Sequence, residues 1–131
     1  MLVKTFAAAV QGISATIITI EVNCSKGIQF FLVGLPDVAV RESHERIISA
    51  LQESGYKFPR SRIVINMAPA DIRKEGSAYD LPLAIGILAG AEMISSEKLS
   101  QYMLMGELSL DGTLKPIKGV LPIAIKAREA G

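Results

Sequence analysis

The alternation of hydrophobic and polar positions predicts three strands before the first helix. Val3 to Val10 and Ala15 to Val22 are two β-rich runs, and the four residues between them suggest a hairpin. Ser25-Lys26-Gly27 marks a turn, and Ile28 to Val33 is predicted to form the third strand. Dinucleotide-binding folds alternate strands and helices from their start, so this order argues against such a fold.

The next segment has the periodicity of a helix. Asp37 is predicted to cap its N-terminus, and Gly55 is well placed to end it. The positions with helical spacing are Val40, His44, Ile47, Ile48 and Leu51. The charged pairs predicted on the solvent side are Arg41–Glu45 and Glu42–Arg46. We interpret His44 as a solvated position of this helix, because no second metal-type residue has a matching spacing.

The middle of the chain combines a buried strand, a charged loop and an apolar helix. The strand runs from Arg62 to Met67, and the helix from Leu81 to Ala91 is apolar on nearly every face. Asp80 is predicted to cap this helix. Arg73 and Lys74 therefore lie just ahead of a helix N-terminus, which is a natural place to hold an anion or an acidic segment.

The last third predicts a hairpin and a final helix. A polar stretch with one short turn, Ser95 to Gln101, precedes a strand from Tyr102 to Leu110. Asp111-Gly112 is a strong hairpin signal, Thr113 to Ile117 should run back, and the helix spans Val120 to Ala130. We therefore expect one α+β domain over residues 1–131. It is predicted to be a two-layer α/β sandwich, a mixed sheet of about five to six strands with three main helices on one face.

Composition narrows the class of protein. Of the 131 residues 50% are hydrophobic, which indicates a full core plus a surface that meets another domain or subunit, although buried parallel strands alone can supply the excess. The net charge of +1 gives no overall field that favours nucleic acid or a membrane. Cys24 is the only cysteine, which is typical of a reducing compartment, and no apolar run reaches the roughly 20 residues of a membrane span. We expect a cytoplasmic protein.

Several kinds of chemistry have no support in the sequence. There is no G-x-x-x-x-G-K-[ST] or G-x-G-x-x-G motif, and the carboxylates are scattered without a histidine, so we expect neither a nucleotide nor a metal here. The candidate anion-binding residues are Arg60 and Arg62, near Lys57, and Arg73 and Lys74. These two groups of basic residues form one anion site if the fold brings them together. The alternative is that each group pairs with nearby acidic residues. Ser77 with Lys118 or Lys126 as base is a candidate hydrolase pair, although a turn role fits Ser77 better.

Three blocks carry a family resemblance. They are GLPDVAVRESHERIISAL (34–51), INMAPADIRKEGSAYDLPLAIGIL (65–88) and GELSLDGTLKPIKGVLP (106–122). They closely resemble the N-terminal domain of the ComM/YifB family of magnesium-chelatase-like AAA+ ATPases. The resemblance implies a fold like ribosomal protein S5 domain 2, shared with the proteolytic domain of Lon. Within these blocks Asn66, Glu75 and Glu107 are expected to have structural roles, as are Asp37 and Asp80.

The same resemblance bears on catalysis. The block 106–122 looks like the Lon segment that carries the catalytic lysine, and in that register the lysine position is Ile123 and the serine position is Asp80. Neither side chain can form a Ser–Lys dyad, so no catalysis is expected from this domain.

The family also suggests partners. An AAA+ module that binds ATP and Mg²⁺ should follow residue 131 in the full-length protein. That protein should form a homohexamer and act on DNA in branch migration and natural transformation. The alternatives are a Lon-like serine peptidase and a stand-alone RNA-binding domain of ribosomal type, against which the near-neutral charge argues.

Overall fold

The computed structural model describes residues 1–131. The strands are β1 (Leu2–Gln11), β2 (Ser14–Ser25), β3 (Phe30–Val33), β4 (Arg62–Ala68), β5 (Glu107–Leu108) and β6 (Leu114–Lys115). The helices are α1 (Val38–Arg41), α2 (Ser43–Glu53), α3 (Asp80–Gly90) and α4 (Val120–Ala130), with a short 3₁₀ turn at Leu99–Gln101. No helix has both the length and the apolar character needed to cross a membrane.

Four strands form the main sheet in the order β1-β2-β4-β3. The pairs β1–β2 and β2–β4 are antiparallel, whereas β3 runs parallel to β4. The mixed α/β sandwich predicted from the sequence is therefore confirmed. The two remaining strands, β5 and β6, pair only with each other in a separate ribbon, so the expected five to six strands are divided between two sheets.

The core lies between the inner face of the main sheet and α2 and α3. The large apolar strand side chains that are fully buried are those of Ile18, Ile20, Val22, Ile63, Ile65 and Met67. Nearly all of α3 is buried, as its all-round apolar sequence predicts. A Cβ added to Gly86 would lie 2.7 Å from Cγ2 of Val22, and one added to Gly90 would lie 3.0 Å from Sγ of Cys24. The two glycines thus let α3 approach β2 closely.

The last helix, α4, packs against β1 and β2 on the other side of the hairpin. Thr5 of β1 faces α3, because its hydroxyl donates to the carbonyl of Pro82 at 3.0 Å. Val10 has the opposite strand parity, and a Cβ added to Gly119 would lie 3.1 Å from its side chain. Phe6, which shares that parity, lines a cleft with the end of α4. Of the main helices, only α2 and α3 therefore cover the inner face that was expected to hold three.

The two edges of the main sheet differ. Along β1, the amide of Leu104 donates to the carbonyl of Phe6 at 2.7 Å, and the amide of Ala8 donates to the sulfur of Met105 at 3.4 Å. The segment predicted to be a strand from Tyr102 to Leu110 thus covers this edge and enters a ladder only at β5. The outer edge of β3 has no such cover.

Local signals placed most of the other elements correctly. The first hairpin is confirmed, with Gly12 in the left-handed region at φ 60. The helix predicted after Asp37 is present, but it is divided into α1 and α2 at Glu42. His44 is half-buried rather than fully solvated, because its ring stacks on Phe30 with the centroids 3.9 Å apart.

We predict that Gly86→Val lowers the free energy of unfolding by about 2 kcal/mol, because the new methyl groups collide with buried Val22. Urea denaturation followed by circular dichroism measures the loss. The matched control is Ala124→Val on the exposed face of α4, which should cost less than about 1 kcal/mol. In a Val22→Ala background the Gly86→Val penalty should shrink, and an unchanged penalty would contradict the close approach.

Candidate functional site

The loop between β4 and α3 is held from inside by Lys74. This side chain is fully buried, and its ammonium group donates to the carbonyl of Gly34 at 2.7 Å and to the carbonyl of Pro69. Burial lowers the pKa of this ammonium group. The backbone of Lys74 also bonds to Leu35 and Asp37, at 3.0 and 2.9 Å. Lys74 therefore ties loops together, and its predicted place on a binding edge is wrong.

Asp37 caps α1 as predicted and also binds the loop. Its Oδ1 accepts from the amide of Val40 at 2.8 Å, which confirms the cap. Its Oδ2 accepts from the amide of Gly76 at 3.1 Å. One carboxylate thus fixes the loop against the start of the first helix.

Asp80 has a different role from the predicted cap. The helix α3 begins at Asp80 itself, with Tyr79 at the N-cap and no side-chain hydrogen bond there. The buried carboxylate accepts from Nε and Nη2 of Arg46 at 2.7 and 2.9 Å, and from the amide of Leu108 at 3.0 Å. The predicted helix cap is therefore wrong, because the side chain points inward to α2.

Arg46 is the partner of Asp80, and the sequence did not indicate this pairing. Its spacing from Glu42 predicted a pair on the solvent side, but the guanidinium turns inward to Asp80 and also donates to the carbonyl of Ala39 at 2.7 Å. The hydrogen bonds that Arg46 donates to the Asp80 carboxylate raise the pKa of its guanidinium. Nothing in the sequence marks this pair, since its members are separated by 34 positions.

A cavity of about 590 Å³ lies between the loop, β5 and the start of α4. Ser77 lines it and donates its hydroxyl hydrogen bond to the carboxylate of Glu107. Lys118 and Ile123 line the same cavity. Lys126 is elsewhere engaged, with its ammonium group 3.8 Å from Glu129. Ile123, at the position of the Lon lysine, thus lines the cavity. Asp80, at the position of the Lon serine, instead forms an ion pair with Arg46.

The candidate anion-binding residues do not form one site. Arg60 and Arg62 lie at the start of β4, and Arg73 lies beyond its far end, so roughly 20 Å of strand separates them. Arg73 pairs with Glu75 at 3.2 Å, and both side chains are exposed. The guanidinium of Arg62 lies 5.4 Å from the centre of the Phe31 ring. The two groups therefore have to be treated separately.

Asn66 lies on the outer face of the sheet. Its amide donates to the carboxylate of Glu21 on the neighbouring strand at 2.8 Å. This cross-strand contact joins β2 and β4 and supports the structural role expected for Asn66.

Comparison with known proteins identifies relatives for most of the chain. Residues 20–131 match the model of the family described as subunit ChlI of Mg-chelatase. The chain is 45% identical to YifB of Escherichia coli (strain K12) over 124 residues, 94% of this chain and 24% of that protein. It is 42% identical to the competence protein ComM of Haemophilus influenzae over 126 residues, 95% of this chain and 25% of that protein. Lon protease 2 of Bacillus subtilis is 32% identical over 89 residues, 68% of this chain and 16% of that protein. The chain thus spans about a quarter of the length of YifB and ComM.

We predict that Asp80→Ala lowers the free energy of unfolding by about 3 kcal/mol, because it leaves the guanidinium of Arg46 and the amide of Leu108 without their acceptor. Urea denaturation again measures the change. As a control, Glu75→Ala breaks the exposed pair with Arg73 and should cost less than about 1 kcal/mol. Equal losses for the two variants would contradict the role assigned to Asp80.

Proposed function

The chain belongs to the family of the ChlI subunit of magnesium chelatase, and on this premise we propose that it is a non-catalytic module of an ATP-driven motor that processes DNA. In this proposal ATP and Mg²⁺ bind to an AAA+ module outside these residues, because the chain contains no phosphate-binding loop motif. Neighbouring copies of the full-length protein form a hexameric ring. The similarity to ComM, a competence protein, supports a role in competence, and in this proposal the motor acts in branch migration during natural transformation.

The observation that carries the proposal is an apolar band along the open edge of the sheet. The band consists of Phe31, Val33, Leu35 and Val38, whose exposed fractions range from 45% to 69%. These residues lie on β3 and on the segment directly after it. Large apolar side chains concentrated at an uncovered strand edge are typical of a surface that another protein part covers.

We assign the AAA+ module of the same polypeptide as the occupant of the apolar band. The chain matches about a quarter of the length of YifB and ComM, so most of each relative lies outside the matched region. A module in the same polypeptide meets the band at a high effective concentration, and a modest apolar contact is then sufficient. Docking there would transmit movements of the motor to this domain.

The absence of catalysis is part of the same proposal. Ile123 offers the cavity no amine, and the carboxylate of Asp80 is held by Arg46. The hydroxyl of Ser77 donates a hydrogen bond to the carboxylate of Glu107. A Ser–Lys dyad needs a lysine amine at this hydroxyl instead. These contacts support a scaffold role for the loop.

DNA engagement is proposed for the end of the sheet that carries Arg60 and Arg62. Neither arginine forms an ion pair with an acid, which leaves their charges available for phosphates. Arg73 is neutralised by Glu75, and Lys74 is buried, so neither is retained as a principal contact. The proposed DNA contact thus uses two of the four basic residues that the sequence indicated.

We predict that the amides of Phe30–Val33 exchange more slowly with solvent in the full-length protein than in the 131-residue chain, because the AAA+ module covers β3. Hydrogen exchange with mass spectrometry measures this. Val33→Glu should remove the extra protection, while Ile13→Glu should not, since Ile13 is exposed in the distant hairpin turn. Identical exchange of β3 in both proteins would reject the docking proposal.

A Lon-like serine peptidase is the second candidate function. The observation that favours it is that Ser77 and Lys118 line the same cavity. The weak similarity to Lon protease 2 covers 68% of the chain. In this alternative Lys118 would supply the amine that is missing at the dyad position, which Ile123 occupies.

We predict that a fluorophosphonate probe does not label Ser77, because no amine occupies the dyad position and the hydroxyl is bound to Glu107. Labelling is read by mass spectrometry, with a known serine hydrolase in the same reaction as the positive control. Labelling of the chain and peptide cleavage that both vanish in Ser77→Ala would establish the peptidase instead.

A further inference from the structure

Two segments without acidic residues lie side by side at one end of the sheet. They are residues 25–30 and 56–63, and the amide of Ile63 donates to the carbonyl of Gln29 at 2.8 Å. They carry Lys26, Lys57, Arg60 and Arg62, none of which belongs to the three ion pairs of the chain. Because the net charge of the whole chain is only +1, this end concentrates positive charge that is balanced elsewhere. We call these four residues the basic end.

An aromatic cluster lies next to the basic end. The ring of His44 stacks on Phe30 with 3.9 Å between centroids and 7° between planes, and Phe58 is 5.4 Å from His44. These rings line a cleft of about 400 Å³ together with Pro59 and Arg60. This volume lies within the range of roughly 300–1,000 Å³ that is common for ligand sites.

We propose that this aromatic cleft binds an unpaired base of single-stranded nucleic acid, while the basic end contacts the neighbouring phosphates. Aromatic rings beside a positively charged groove are the combination by which proteins hold single strands without strong sequence preference. A base in a duplex is stacked on both faces and paired along its Watson–Crick edge, so it cannot enter such a cleft. The inference rests on the DNA contact of the proposed function and adds the form of nucleic acid and the pocket that reads it.

Two further features fit a base as the ligand. Burial lowers the pKa of His44, which favours the neutral imidazole, and this form can stack and offers one donor and one acceptor. Arg60 belongs both to the cleft and to the basic end, so one side chain joins the base site to the phosphate path. An acidic peptide would satisfy the charges but would make no use of the stacked rings.

The test measures fluorescence anisotropy of a labelled 12-nucleotide oligothymidylate and of a duplex of equal length, titrated with the 131-residue chain. The single strand should bind about 10-fold more tightly than the duplex. Phe58→Leu, which keeps bulk and removes the ring, should weaken single-strand binding about 5- to 10-fold without changing the salt dependence. Arg60→Gln should weaken the binding of both oligonucleotides. It should also reduce the slope of log affinity against log salt concentration by about 1. Tyr102→Leu, an exposed aromatic residue outside the cleft, is the matched control and should change neither.

A second measurement keeps the proposal testable if Phe58→Leu unfolds the chain. Photo-crosslinking of the unaltered chain to an oligonucleotide that contains 5-bromodeoxyuridine should map to Phe30, His44 or Phe58. Crosslinks confined to other residues would overturn the base site, as would effective competition by polyglutamate. If Arg60→Gln weakens both ligands but Phe58→Leu changes nothing, the DNA contact stands and the base site is rejected. If neither nucleic acid binds, both are rejected, while docking at β3 is decided separately by hydrogen exchange.

Discussion

A carboxylate removed from water has to be satisfied by the protein itself, and the buried Asp80 is the place where this requirement organises the domain. Its oxygens bind Arg46 of α2 and the amide of Leu108 in β5, while Asp80 itself opens α3. Arg46 extends the contact to the carbonyl of Ala39 in α1. One ion pair thus sets the relative positions of three helices and the ribbon, and with them the walls of the cavity that contains Ser77.

The elements that could be predicted from the sequence are those whose signal is local. The hairpin of β1 and β2, the buried strand β4 and the limits of α4 all follow from periodicity, turn residues and glycines within a few positions of each other. The fate of the charged residues could not be predicted in the same way. Lys74 is held by two backbone carbonyls, which leave no trace in the sequence, and the partner of Asp80 lies 34 positions away. A charged residue in a sequence is normally predicted to be solvated. That prediction is wrong where a loop folds over the side chain and buries it.

The candidate sites show the same division. The register with Lon assigned the lysine position to Ile123, and the structure adds that Ile123 lines the cavity. The aromatic cleft could not be anticipated, because its three rings come from β3, α2 and the link before β4 and share no motif. His44 illustrates the difficulty, since its neighbours in the sequence are charged whereas its neighbours in space are rings. Arg60 and Arg62 were identified from the sequence, but their separation from Arg73 required the path of β4.

The unequal edges of the sheet restrict how copies of this domain can join. Strand addition propagates only when both sides of a sheet can accept a partner, and residues 104–105 occupy the β1 side. Two copies that met through β3 would therefore form a closed pair related by a twofold axis, with no free side from which a fibre could grow. A cyclic assembly needs two different, complementary faces on each subunit, so the domain cannot be closed into a ring by backbone pairing alone. The cover on β1 thus prevents this domain from polymerising by strand addition. Closure of a ring would then depend on side-chain contacts or on other parts of the polypeptide.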